Sequence, residues 1–339
     1  METIKIGIAG FGRQGKVHAN NIVNRVKGVT LEAVCSVVPS ELDLARNEYG
    51  VKDVYADYDF MLKNADIDAV IIATSSDLHC LHAEKALNAG KHVFTEKPMG
   101  TNIAECLSVE KCVKAHPDKV FMVGYMRRYD PSYVYAKQKI EAGAIGKPYL
   151  VKATGIDPLS SIDTIVKMAK NSPGLFIGMG IHDVDLIHWF LGARAKQVYA
   201  VGTSIAYKEF AKYNDAETGC ALYSMEDGTM GMLHTGRMAP HGYHIETEIV
   251  GTEGSIRISP VPAKNLAMIY DHNGATIECI EDFRSRFDLA FLNEIQEFVD
   301  CIREKRQPDM TVYDSTNSTR VVVATTQAFR ENRLVTIEY

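Results

Sequence analysis

The chain has 339 residues, 46% of them apolar and 24% charged, so it can bury a full core and is neither disordered nor fibrous. Lysine and arginine total 37 against 43 acids, a net charge of -6, which argues against nucleic acid as the main partner because a phosphate backbone wants a basic face. At roughly 150 residues per domain the length predicts about two domains.

Ile4-Lys-Ile-Gly-Ile-Ala9 predicts a short β-branched strand ending in glycines, followed by a helix over 16–26. Val29–Cys35 is a second strand, 42–48 a helix, 69–73 a third strand, and 82–89 a helix stopped by Gly90. Segments 91–95 and 120–123 are further strands, with a helix between them that Thr101 would cap. This alternation predicts a parallel sheet with helices on both faces, and the nearly continuous apolar strands fit burial on both sides.

The second half reads differently. After a polar helical stretch, 132–142, three turn signals stand between strand-like runs: Glu226-Asp-Gly228, Thr252-Glu-Gly254 and His272-Asn-Gly274. Asp-Gly and Asn-Gly favour hairpins because glycine accepts positive φ at no steric cost. The runs 221–225, 229–234, 245–250 and 255–259 suit an antiparallel sheet. Phe287, Phe291, Ile295, Phe298 and Ile302 fall at helical spacing, so a helix over 288–304 packs on something apolar. The fold class expected is α/β: a domain with a parallel sheet over 1–124, then an α+β domain with an antiparallel sheet over 125–339.

No apolar run approaches the roughly 18 residues of a membrane helix, and the start, Met1-Glu-Thr-Ile-Lys-Ile-Gly, has no charged-then-apolar signal pattern. The seven cysteines, 35, 80, 106, 112, 220, 279 and 301, are odd in number and irregular in spacing, without C-x-x-C. They read as reduced thiols of a cytoplasmic protein.

Four segments carry chemistry. Gly10-Phe11-Gly12-Arg13-Gln14-Gly15 follows the first strand and opens a helix, the context a G-x-G-x-x-G dinucleotide loop requires. Its glycines make the turn, admit the pyrophosphate and let helix pack on strand, while the helix N-terminus offers N–H groups to the phosphates. The second strand ends at Ser36, where an NAD enzyme usually has an acid for the ribose hydroxyls. A serine would not repel a 2′-phosphate and Arg13 could reach one, which leans towards NADP; the alternative is a plain strand end and a solvated arginine. Glu96-Lys97-Pro98 closes the strand over 91–95, so Lys97 points into the crevice beyond a parallel sheet, where it can give and take a proton. Taken alone, this tripeptide is more often a surface turn. Ile181-His182-Asp183-Val-Asp185-Leu-Ile-His188 admits three readings: acid–base chemistry by His182, oriented by a carboxylate; a metal site; or an ordinary helix start. No further His or Cys pair has matching ligand spacing, so no metal is expected.

Together with Ala73-Thr-Ser-Ser-Asp-Leu-His79, Gly124-Tyr-Met-Arg-Arg-Tyr-Asp-Pro131, Gly242-Tyr243 and Glu248-Ile-Val-Gly-Thr-Glu-Gly254, these segments form an ordered set spanning nearly the whole chain. The set resembles the Gfo/Idh/MocA family of oxidoreductases, and within it the inositol 2-dehydrogenase group. The resemblance implies a Rossmann domain plus an α+β domain with an open antiparallel sheet, which would build a homotetramer. It implies that Lys97 contacts the reacting hydroxyl and the nicotinamide ribose, and that His182 is the acid–base. Thr74, Ser75, His79 and Glu96 would line an NAD or NADP cofactor, and Arg127 and Tyr243 would face a cyclic polyol or sugar.

The chain departs from that group at Gly178, where an Asp usually stands four residues before the histidine, and at Gly155-Ile-Asp-Pro158, where His-Arg-Asn-Pro is frequent. Asp157 is expected to compensate, and Asp157 or Asp185 to orient His182. The leading expectation is an NAD(P)-dependent dehydrogenase oxidising a ring alcohol. The rivals are a non-catalytic sugar and dinucleotide sensor, and a redox-neutral lyase or glycosidase with a recycled nicotinamide.

Overall fold

In the computed structural model, which describes residues 3–259 and 263–339, the chain begins as the alternation predicts. Strands β1 (Ile4–Ala9), β2 (Val29–Cys35), β3 (Asp53–Tyr55), β4 (Ala69–Ile72), β5 (His92–Glu96) and β6 (Phe121–Gly124) form a parallel sheet in the order β3-β2-β1-β4-β5-β6. Helices α1 (Arg13–Asn24), α2 (Pro39–Tyr49), α3 (Tyr58–Asn64), α4 (His79–Asn88) and α5 (Ile103–Ala115) connect them. Asn102, not Thr101, caps α5 by accepting the Glu105 amide at 3.0 Å. The strand order reverses beside β1, which opens the ligand crevice of a doubly wound sheet at the ends of β1 and β4.

Helix α6 (Pro131–Glu141) follows, with Asp130 accepting the amides of Ser132 and Tyr133 as its cap. Then come β7 (Pro148–Pro158), α7 (Ile162–Met168) and α8 (Ile181–Leu191), and after them β8 (Ala195–Thr203), β9 (Thr218–Met225), β10 (Met230–Ala239), β11 (His244–Gly251) and β12 (Ser255–Ile258). A separate hairpin, β13 (Ala263–Asp271) and β14 (Gly274–Cys279), precedes α9 (Phe283–Glu304), α10 (Val312–Glu331) and β15 (Val335–Thr336). Among the described residues the second large sheet has the order β12-β11-β7-β10-β9-β8-β15. All three turn signals join antiparallel neighbours, and Gly228 takes φ +84° between β9 and β10. The sheet is mostly but not wholly antiparallel, because β7 and β10 run parallel.

The chain divides into two compact units, Met1–Tyr129 with Leu289–Thr319, and Asp130–Asp288 with Arg320–Tyr339. The first unit thus runs a few residues past the expected boundary at 124 and also takes in 289–319. The reason lies in α9. Its buried residues Ile295, Phe298, Val299 and Cys301 complete the core formed by Ile71, Phe94 and Met122 of the parallel sheet. Each such apolar side chain contributes roughly 1.5–3 kcal/mol when fully buried. Among the described residues no helix is long and apolar enough to cross a membrane.

Candidate active site

The dinucleotide loop sits at the end of β1. Gly10 takes φ +88°, and a Cβ there would lie 2.5 Å from the Ala73 carbonyl oxygen, so only glycine makes the turn. A Cβ on Gly15 would collide with the Gly10 carbonyl oxygen. Gly12 differs: its nearest neighbour would be Glu41 Oε1, 3.8 Å away, which leaves the loop's outer side open. Gly12 also begins α1 without a side-chain cap, and the first turn holds no acid. An open glycine before uncapped amides fits a pyrophosphate. Arg13 is exposed in that turn, Gln14 turns back to within 3.4 Å of His18, and Phe11 is a core residue packed edge-on against Tyr49.

The Ser36 hydroxyl is engaged within the protein. It donates to Glu41 Oε2 at 2.5 Å and accepts the Val38 amide at 3.1 Å. The carboxylate missing from the end of β2 is thus supplied by the first turn of α2, and the lean to NADP loses its basis. Thr74 and the exposed Ser75 follow β4 as expected. His79 is buried, with Nδ1 2.8 Å from the Pro98 carbonyl oxygen and Nε2 3.1 Å from that of Thr74. Both ring nitrogens therefore face main chain, so His79 ties two loops together.

Lys97 leaves the end of β5, partly buried, before a cis Lys97–Pro98 peptide. Its neighbour Glu96 is buried and bonded to His18 Nε2 at 2.7 Å. Burial would push the Glu96 carboxyl up, but the His18 hydrogen bond and the charges of His18, Lys97 and His79 outweigh it and hold the group below its ordinary value. Glu96 thus anchors the strand end through α1.

Neither His18 nor Glu294 was legible as part of this centre, although Glu294 breaks the apolar stripe of α9 between Phe291 and Phe298. The side-chain ligand atoms of His18, Glu96 and Glu294 lie within 4.8 Å of one another; among the described residues no other trio does so, and His182 and Asp185 belong to none. Glu294 is fully buried, with no hydrogen-bond partner on either carboxyl oxygen. Burial first, then the Glu96 charge, push its carboxyl well above the ordinary value of 4.5. Between that value and the raised one the folded chain binds the extra proton, so stability falls as pH rises. Glu294→Gln, always neutral, is expected to melt above the parent at about pH 8, with a smaller gap at about pH 5. A gap independent of pH would show that Glu294 is ionised in the fold.

The second unit holds the other candidates. A π-helical turn, Phe176–Gly180, runs directly into α8, which opens with His182. His182 is 6% exposed, and Asp183 and Asp185 on the same helix are buried. The His234 imidazole on β10 is held below its ordinary value by burial and by His244, against the pull of Asp183. Gly178 lies in the π turn, and an added Cβ would meet only Pro173, in ordinary contact at 3.6 Å. Asp157 is half-buried near the end of β7. Tyr243 is buried edge-on to Phe287, its amide donating to the Ile280 carbonyl at 2.8 Å. Arg127 is buried too, but in a short helix of the first unit, Met126–Tyr129.

A doubly wound sheet with an open glycine loop and a lysine beyond its strand ends defines a dinucleotide-dependent oxidoreductase scaffold. Residues 4–125 match the oxidoreductase family with the NAD-binding Rossmann fold, and residues 133–257 match the GFO/IDH/MocA C-terminal domain. The chain belongs to the Gfo/Idh/MocA family of oxidoreductases. It is 32% identical to the scyllo-inositol 2-dehydrogenase (NAD(+)) of Bacillus subtilis, over 99% of this chain and 96% of that protein. It is 44% identical to the scyllo-inositol dehydrogenase of Lactobacillus casei, crystallised with NAD(H) and scyllo-inositol, with TM-score 0.96 over 99% of each chain. The myo-inositol 2-dehydrogenase of Lactobacillus plantarum is 37% identical, with TM-score 0.97 over 99% of this chain and all of that one.

Proposed function

We propose that the protein is an NAD-dependent dehydrogenase that oxidises one ring carbinol of an inositol to the ketone. The observation that carries this reading is that Lys97 and His182 both stand at their motif positions on a scaffold of this family. The nicotinamide, when bound, accepts the hydride. His182 takes the hydroxyl proton as the ketone forms, and Asp185 or Asp157 holds its ring in the required tautomer. Lys97 binds the same oxygen. Arg127, Asp157 and Tyr243 bind the other hydroxyls, and Thr74 and Ser75 line the dinucleotide. A sensor would have no use for a lysine and a histidine that move a proton.

Gly178 directs the substrate expectation. With no acid there, turnover is expected to be weak on myo-inositol and stronger on another isomer, scyllo-inositol being the first to test because the Lactobacillus casei relative was crystallised with it. The experiment is the initial rate of NADH formation across a panel of inositol isomers and sugars, for the parent and for Gly178→Asp. A Cβ there meets only an ordinary contact with Pro173, and the variant is expected to gain on myo-inositol by about tenfold. Strong preference of the parent for myo-inositol would refute the shift. Dinucleotide binding without turnover of any polyol would leave the sensor, and turnover without net NADH the redox-neutral enzyme.

The same reading includes a cytoplasmic homotetramer. Its seven cysteines are all free thiols. Tyr199, Leu222 and Met232 lie in register on three adjacent strands of the large sheet, 40%, 59% and 36% exposed, a row suited to cover by another copy. Sedimentation of the assayed protein at one chain mass would remove that part.

A further inference from the structure

The end of β2 carries no acid, yet a carboxylate stands there. Glu41 belongs to the first turn of α2, and its amide is bonded to the Val38 carbonyl at 3.0 Å. Its Oε2 accepts the Ser36 hydroxyl at 2.5 Å, and Ser36 is itself held by the Val38 amide and by its own amide's bond to the Tyr55 carbonyl at 3.0 Å. Its Oε1 is the nearest atom to the open side of Gly12. One carboxylate therefore overlooks both the dinucleotide loop and the strand end where the adenosine ribose of a bound dinucleotide rests. A serine that holds an acid is a different device from a serine that receives a phosphate.

We propose that Glu41 selects NAD over NADP, with Ser36 as the residue that positions it. The proposal rests on the reading of this chain as a dinucleotide enzyme and deepens it. A ribose 2′-hydroxyl donates to the Glu41 carboxylate, which is a charge-assisted hydrogen bond. A 2′-phosphate carries a charge near -2 and accepts only, so the same carboxylate repels it at short range. The recognised chemistry is thus a vicinal ribose diol, not a ribose phosphate.

Titration calorimetry of the whole chain with NAD and with NADP, without polyol, tests this apart from catalysis. The parent is expected to bind NAD about a hundredfold more tightly than NADP, the upper end of what a hydrogen bond to a charged group contributes. Glu41→Gln keeps the side chain's size and its bond to Ser36 but loses the charge. It is expected to weaken NAD and tighten NADP, bringing the ratio within about tenfold. Ser36→Ala is expected to move the ratio the same way by less. Three outcomes would overturn the proposal. One is a parent that binds the two dinucleotides alike. Another is a Glu41→Gln variant that weakens both by one factor, the mark of a structural role. The last is a Ser36→Ala variant that weakens NADP alone, which would make Ser36 a phosphate acceptor after all. A parent that binds NAD selectively yet oxidises no inositol would leave this inference standing while the substrate reading fell.

Discussion

Lys97→Ala is expected to lower NADH formation by about 10²–10⁴-fold, the range that a positioned acid–base group contributes. The lysine follows the last residue of β5, and that residue, Glu96, is buried and bound to His18 at 2.7 Å. The strand end is therefore rigid, and Lys97 stands where open parallel sheets bind their ligands. Lys97 is only partly buried, so its removal is expected to lower the melting temperature and NAD affinity far less than the rate. His182→Asn should cost a comparable factor, and the double variant little more than either, because groups that serve one proton transfer are not additive. The measurement is steady-state rate on the best inositol, with calorimetry for NAD. Turnover of Lys97→Ala within tenfold of the parent would end the role.

The loop glycines separate folding from binding. At Gly15 a Cβ would collide with the Gly10 carbonyl oxygen, a main-chain atom that cannot swing away. Gly15→Ala must therefore push α1 off β1. It is expected to cost about 1–3 kcal/mol of stability, as overpacking does, and to weaken NAD on the order of a hundredfold through displacement of the helix end. At Gly12 the nearest atom would be 3.8 Å away and φ is -70°, so alanine fits the unliganded chain. Gly12→Ala is expected to melt like the parent yet lose NAD affinity, because its methyl would occupy the face open to the pyrophosphate. Equal melting of parent and Gly15→Ala would refute the first half; unchanged NAD binding by Gly12→Ala would refute the second.

Local patterns were legible where one residue type answers one local demand. The loop Gly10 to Gly15 was plain because the turn and the helix approach tolerate only glycine at two of its positions. The Asp-Gly and Asn-Gly hairpins were plain for the same reason. Strand β7 was not, since it starts and ends on proline and carries Lys152 and Asp157, though it lies between β11 and β10. Helix α10 was hidden by its composition. Its buried side includes Ser315, Thr316, Thr319, Thr325 and Thr326, and Thr316, Thr325 and Thr326 return their hydroxyls to the carbonyls four residues back. No apolar stripe marks such a helix.

The sequence by itself determined the two-part α/β architecture, the dinucleotide loop and the candidate pair Lys97 and His182. The first two follow from periodicity and from a motif whose chemistry is local to a few consecutive residues, and the pair from the resemblance its segments bear to a known family. Only the tertiary structure decided what acts at a distance along the chain. It placed Glu41 on Ser36, which removed the basis for the lean to NADP read from the strand end. It brought Glu294 beside Glu96 and His18, and returned Leu289–Thr319 to the first unit. A carboxylate's partner and a helix's packing surface depend on through-space distance, and spacing along one chain carries no record of that distance.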